Sequence, residues 1–280
     1  METQGRAGQV ISFYSFKGGT GRTMALANVA CLLSTQNKGR VLMIDWDLEA
    51  PGLHFFFNRK LQSHFKDAGG LIDLFVELDD ASVLKSEPET TEPARALLDR
   101  VEPERFIIST EVPRLDLMKA GRFDADYPTR VATFRWEQLF LRVPTLMRCF
   151  VERLAATYRY VLVDSRTGNS DTGGICTTLL PEKLVAVFTP SAQSLTGLLD
   201  IIRRAVGYRR QLSLSNRPIA DAGTAPESPW LQAPSDKMSA VHIGGRTPPP
   251  YRYSQRWLQP ERAPTEFQVL DPHQCRPLED

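Results

Sequence analysis

The chain has 280 residues, 42% of them hydrophobic, with 34 basic against 33 acidic side chains. That length and apolar fraction allow a sizeable core in one or two domains, and the near-zero net charge excludes any whole-chain electrostatic case for binding nucleic acid or membrane. No apolar run reaches the roughly 18 residues a spanning helix needs, and Met1-Glu2-Thr3-Gln4-Gly5-Arg6 has no signal-peptide core, so a cytoplasmic protein without membrane association is expected.

In chain order, the run Val10-Ile11-Ser12-Phe13-Tyr14 predicts a strand over 9–15, and a helical pattern follows over 22–36. Between them lies Lys17-Gly18-Gly19-Thr20-Gly21-Arg22-Thr23. A glycine-rich turn from strand to helix is a phosphate site: backbone N–H groups converge on the anion, the helix dipole adds to them, and a terminal hydroxyl, here Thr23, reaches Mg²⁺. The usual G-x-x-x-x-G-K-[ST] pattern would place Gly at Phe16 and Lys at Arg22. Arg22 keeps the charge on a wider, planar group.

Val41-Leu42-Met43-Ile44 predicts a buried strand over 41–45 that ends in Asp45-Trp46-Asp47-Leu48-Glu49-Ala50-Pro51-Gly52. Carboxylates at the C-terminal end of a parallel strand face the ligand crevice. The following His54-Phe55-Phe56-Phe57 is assigned to core packing ahead of a nucleotide gate or a dimer surface, because successive aromatics are rarely left exposed. His54 and His64 lack a partner at metal-ligand spacing. A short helix over 71–76, a solvated loop over 86–93, and two short strands over 106–108 and 115–118 joined by a turn at Pro113 are expected next.

Val143, Leu146, Met147, Phe150, Val151 and Leu154 have helical spacing, and that helix delivers the chain into a strand over 159–164. Its end, Asp164-Ser165-Arg166-Thr167-Gly168, has the form of a Walker B strand whose aspartate serves Mg²⁺. Arg166 has two readings, a finger on the γ-phosphate or a brace paired with Asp171 or another carboxylate. A strand over 183–189 and a helix over 192–209 complete the series. Thr189-Pro190-Ser191 stands where a guanine-reading signature would fall, which favours ATP over GTP. Arg203, Arg204, Arg209 and Arg210 suit either non-specific DNA phosphates or the dipole at a helix end, and the dipole is preferred. The four cysteines have no C-x-x-C spacing and are read as reduced and structural.

This order predicts an α/β fold: a doubly wound, mostly parallel sheet of the P-loop NTPase type, occupying residues 8–211. Residues 212–280 hold eleven of the twenty prolines and show no strand or helix period. They read as an irregular tail, disordered or translated out of frame.

The early Lys17 resembles the signature lysine of the deviant Walker A loop in ParA/MinD-type P-loop ATPases of the SIMIBI class. Lys-Gly-Gly-x-Gly-Arg, with Asp-Trp-Asp-Leu-Glu-Ala-Pro-Gly-Leu and Asp-Ser-Arg-Thr-Gly, is similar to the KGGVGR-motif variant branch. The resemblance implies an ATP- and Mg²⁺-dependent ATPase that works as a nucleotide-dependent homodimer read by a further protein partner. It implies that Lys17 reaches nucleotide across the dimer and Asp47 orients the attacking water. Lys17, Gly18, Gly19, Thr20, Gly21, Arg22 and Thr23 would hold the nucleotide, with Arg22 in the place of the P-loop lysine, and Thr23, Asp45 and Asp164 the metal and its shell. Two other functions stay open: a nucleotide-binding signalling module with little turnover, and a bacterial tyrosine kinase, against which the lack of a C-terminal tyrosine cluster argues.

Overall fold

The computed structural model describes residues 8–36, 39–57, 67–83, 91–168, 174–215, 237–242 and 266–270. Its strands form one sheet in the order β3-β4-β2-β5-β1-β6-β7-β8. These are β1 (Gln9–Tyr14), β2 (Val41–Asp45), β3 (Ile108–Ser109), β4 (Leu115–Met118), β5 (Tyr160–Asp164), β6 (Lys183–Phe188), β7 (Lys237–His242) and β8 (Glu266–Leu270). Every pairing is parallel except β3 with β4.

The central strands are apolar throughout because both faces are covered. In β2, Leu42 and Ile44 enter one core while Val41 and Met43 enter the opposite one, as period-two side chains must. Helix α1 (Arg22–Thr35) covers the second face, and its Ala25, Ala27 and Ala30 allow close approach. On the first face lie α2 (Leu71–Ser82), α3 (Thr91–Val101), α4 (Tyr127–Thr133), α5 (Trp136–Arg142) and α6 (Leu146–Thr157). Trp46, Phe75, Phe134, Trp136 and Phe150 form an aromatic cluster there, with ring centroids 4.7–6.4 Å apart. Helix α7 (Ala192–Ser215) packs Leu198, Ile201 and Ile202 on β6 and Tyr14.

The expected doubly wound α/β sheet is present, with several local differences. Val143 precedes α6 and caps its apolar stripe from a turn, and the predicted 71–76 helix runs on to Ser82. The loop expected over 86–93 gives way at Thr91 to a helix. Helices α4 and α5, at seven residues each, are too short to show a helical period in the sequence. Helix α7 continues past the expected boundary at 211, and β7 and β8 each add a strand beyond it. Met238-Ser239-Ala240-Val241 and Phe267-Gln268-Val269-Leu270 carry enough apolar residues for strands, a signal masked by the prolines around them. The rest of 212–280 beyond Ser215 lies outside the described residues.

Candidate functional site

Strand β1 ends between β5 and β6, and the chain must then cross over β5 to reach β2. Such a reversal opens a crevice at the C-terminal strand ends. The glycine loop sits there. Gly19 at φ 71° and Gly21 at φ 80° take the left-handed conformation that a side chain would oppose. A Cβ on Gly18 or Gly19 would meet nothing within 4 Å, so the loop is open on that side. Gly21 precedes α1 with no side-chain cap, which leaves the first N–H groups of the helix available to an anion. Thr20 Oγ1 and Arg22 Nη1 are buried without a hydrogen-bond partner. An open cradle lined by orphaned donors fits the phosphates of a nucleotide.

Parallel register sets Asp45 directly beside Asp164, one strand spacing of about 4.8 Å away. Asp164 accepts from Thr23 Oγ1 at 2.7 Å and from Arg22 Nε at 2.5 Å, while Arg22 Nη2 donates to Asp47 at 2.9 Å. Four of the predicted site residues are therefore linked by hydrogen bonds, Asp47 to Arg22, Arg22 to Asp164 and Asp164 to Thr23. Burial disfavours the Arg22 charge, and Asp164 and Asp47 more than restore it, so its pKa is raised. Burial also pushes the Asp164 carboxyl up against the pull of Arg22.

Asp45 is wholly buried and forms no ion pair among the described residues. Burial first, then the neighbouring Asp164, raise its carboxyl well above the usual range. Its oxygens accept from the N–H groups of Asp47, Gly52 and Leu53 at 3.1–3.3 Å. Asp45 thus pins the loop that carries Asp47, and it stands one strand away from Asp164 rather than among the Arg22 and Thr23 contacts. Lys17, half-buried at the loop entrance, makes no hydrogen bond or ion pair among the described residues.

Several contributing residues escape a reading by motif. Trp46 anchors the loop from inside: its ring lies in the aromatic cluster and its backbone N–H donates to the Asp164 carbonyl at 2.9 Å. Tyr127 Oη donates to the Leu48 carbonyl at 2.7 Å, and Arg166 pairs with Glu49, the bracing alternative of its two readings. Lys119 is buried just past the end of β4, where burial lowers its pKa to about 8. It lies over the Phe123 ring, which also stacks on His54. Its position after an apolar strand is the same signal that marks Asp45 and Asp164.

The core assignment of the aromatic run needs correction. His54 and Phe57 are buried, but Phe55 is 72% and Phe56 45% exposed, because a 3₁₀ turn over Leu53–Phe57 directs successive side chains to different sides. Of the arginine cluster, Arg203 pairs with Asp200; the side chains of Arg209 and Arg210 lie outside the described residues. Cys149 and Cys176 are buried and Cys31 half-buried, all as free thiols; Cys275 lies outside the described residues. No helix among the described residues is long and apolar enough to cross a membrane.

A plasmid partition protein from Borrelia burgdorferi shares this fold with a TM-score of 0.56 at 17% identity, over 94% of this chain and 89% of that one. McdA from Cyanothece, solved as a complex of a substituted form with ATP, matches with a TM-score of 0.52 at 17% identity, over 76% of this chain and 66% of McdA. No curated protein sequence matches. The model of the CobQ/CobB/MinD/ParA nucleotide binding domain matches residues 11–209, a span that holds the glycine loop and Asp45, Asp47 and Asp164. With that span covering most of the chain, the protein belongs to the CobQ/CobB/MinD/ParA nucleotide-binding domain family.

Proposed function

We propose that the chain is a Mg²⁺-dependent ATP-binding and ATP-hydrolysing switch whose nucleotide state controls dimerisation and is read by a protein partner, with residues 8–211 as the nucleotide domain. The observation that carries this reading is the meeting of Arg22, Thr23, Asp47 and Asp164 at the open glycine loop. The donor set fits a hard cation: a hydroxyl and a carboxylate 2.7 Å apart. No three His, Cys, Asp or Glu side chains among the described residues form a ready cage, so phosphate oxygens and water would complete the shell. Mg²⁺ would supply charge neutralisation of the β- and γ-phosphates.

The chain's own groups would do the rest. The N–H groups of Gly18 to Gly21 cradle phosphate, and Thr23 and Asp164 hold the cation. Asp47, 13% exposed at its side chain and held on a loop pinned by Asp45, orients a water in line with the bond to be cut. Lys17, unpaired among the described residues, reaches a second copy's nucleotide. Exposed Met24 on α1, and Phe55 and Phe56 on the 3₁₀ turn that contacts α1, supply apolar surface for that dimer. McdA is solved with ATP, which supports the choice of nucleotide.

Phosphate release from ATP by the purified chain, with Asp47→Ala as the comparison, tests hydrolysis: an equal rate in both would reject the role of Asp47. Sedimentation with and without ATP tests the switch, and Lys17→Ala should remove the ATP-dependent dimer. A second reading, a nucleotide-binding signalling module with little turnover, is favoured by one contact: Arg22 ties Asp47 at 2.9 Å and would hold it away from water. Tight nucleotide binding without phosphate release would select it.

A further inference from the structure

Arg22 stands where a P-loop ordinarily carries lysine, and its guanidinium is turned onto the strand-end carboxylates. Nε takes Asp164 Oδ1 at 2.5 Å and Nη2 takes Asp47 Oδ2 at 2.9 Å, while Thr23 takes the other oxygen of Asp164. Both oxygens of Asp164 therefore have donors. Arg22 is 5% exposed and Asp164 1%, so water does not replace the contact between them. A lysine ammonium is a point charge; the planar guanidinium can bridge two carboxylates that lie on different strand ends. The third donor group, Nη1, is buried with no partner.

From this geometry we propose that Arg22 is a built-in counter-cation for the metal locus: it occupies Asp164 and Asp47 when nucleotide is absent, excludes a divalent cation from them, and releases them when phosphate arrives to receive the guanidinium. The inference rests on the nucleotide reading above. With Arg22 in place, Asp164 offers a divalent ion a site already filled with positive charge. If Arg22 left without a new anion, it would be a buried cation with no partner. Phosphate removes both obstacles, because it gives Nη1 and its neighbours acceptors and gives the metal anionic ligands. Metal and nucleotide then enter together, and metal alone does not.

The probe is Mn²⁺ added to the full chain without nucleotide, with bound and free ion distinguished by paramagnetic resonance. Arg22→Gln should bind Mn²⁺ on the order of tenfold more tightly than the wild type, since a neutral side chain replaces the resident cation. Adding Asp164→Asn to that variant should abolish the gain. Arg22→Lys should fall between the two, and thermal melts report whether each variant is folded. In the wild type, the Arg22 Nε–H resonance should keep its position with Mg²⁺ alone and move with Mg²⁺ plus ATP; this measurement decides the matter if the variants do not fold.

Equal Mn²⁺ affinity in folded wild type and Arg22→Gln, or a resonance that moves with Mg²⁺ alone, would overturn the inference. A wild type that binds no fluorescent ATP analogue would instead overturn the nucleotide reading. The Mn²⁺ comparison would still decide whether Arg22 excludes the metal.

Discussion

Asp164→Asn isolates the charge at the centre of the site. The amide oxygen keeps the shape and can still accept from Arg22 Nε, while the Thr23 hydroxyl can turn to accept from the new amide, so packing is preserved. What is lost is half of the negative charge around a guanidinium that is 5% exposed. Breaking a buried pair outright costs about 3–5 kcal/mol because a charge is orphaned. Here Asp47 remains at 2.9 Å, which places the expected loss below that range, at about 2–3 kcal/mol. Relief of the neighbouring Asp45, whose carboxyl burial and then the Asp164 charge push up, offsets part of that loss. Urea unfolding of the ligand-free protein at neutral pH measures this through the transition midpoint, with an unchanged slope showing that the folded and unfolded ensembles are otherwise alike. A variant as stable as the wild type, or more so, would refute the argument that Arg22 depends on Asp164.

Three further outcomes follow from the same structure. Gly70→Ala should destabilise by about 3 kcal/mol in urea unfolding, because the new Cβ would lie 2.3 Å from the Lys119 carbonyl oxygen and 2.6 Å from the Gly121 nitrogen, both rigid backbone. Phe55→Ser should change stability by only about 0.5 kcal/mol, because Phe55 is 72% exposed, but should weaken ATP-dependent dimerisation in sedentation-velocity runs; undiminished dimerisation would remove this surface from the interface. Burial and the nearby Lys119 lower the His54 pKa from 6.5 to about 4, so the unfolded chain takes up the proton first as pH falls. Its contribution is complete above pH 6.5 and is lost as pH drops towards 4, so the stability gap between wild type and His54→Asn should narrow over that window; a gap independent of pH would refute it.

Legibility in the sequence followed the reach of each interaction. The strand–loop–helix around residues 17–23, strands β2 and β5, and the stripe of α6 are local patterns, set by glycine conformation and by side-chain period, so they could be read in a line of residues. Helices α4 and α5 are seven residues each, held by the aromatic cluster rather than by their own period, and could not. The exposure of Phe55 and Phe56 follows from a single 3₁₀ turn, which no composition rule anticipates.

By itself the sequence determined the kind of fold and the residue types brought to the crevice: a glycine loop, a hydroxyl, a basic residue, two aspartates that end strands and a third just beyond one of them. Tertiary structure alone decided how those groups share charge. Parallel register across β2 and β5 puts Asp45 beside Asp164; Arg22 pairs with Asp164, while burial pushes the Asp45 carboxyl up. That division depends on distances between segments 25 and 142 residues apart in the chain and on the exclusion of water from between them, and neither is written in any local pattern.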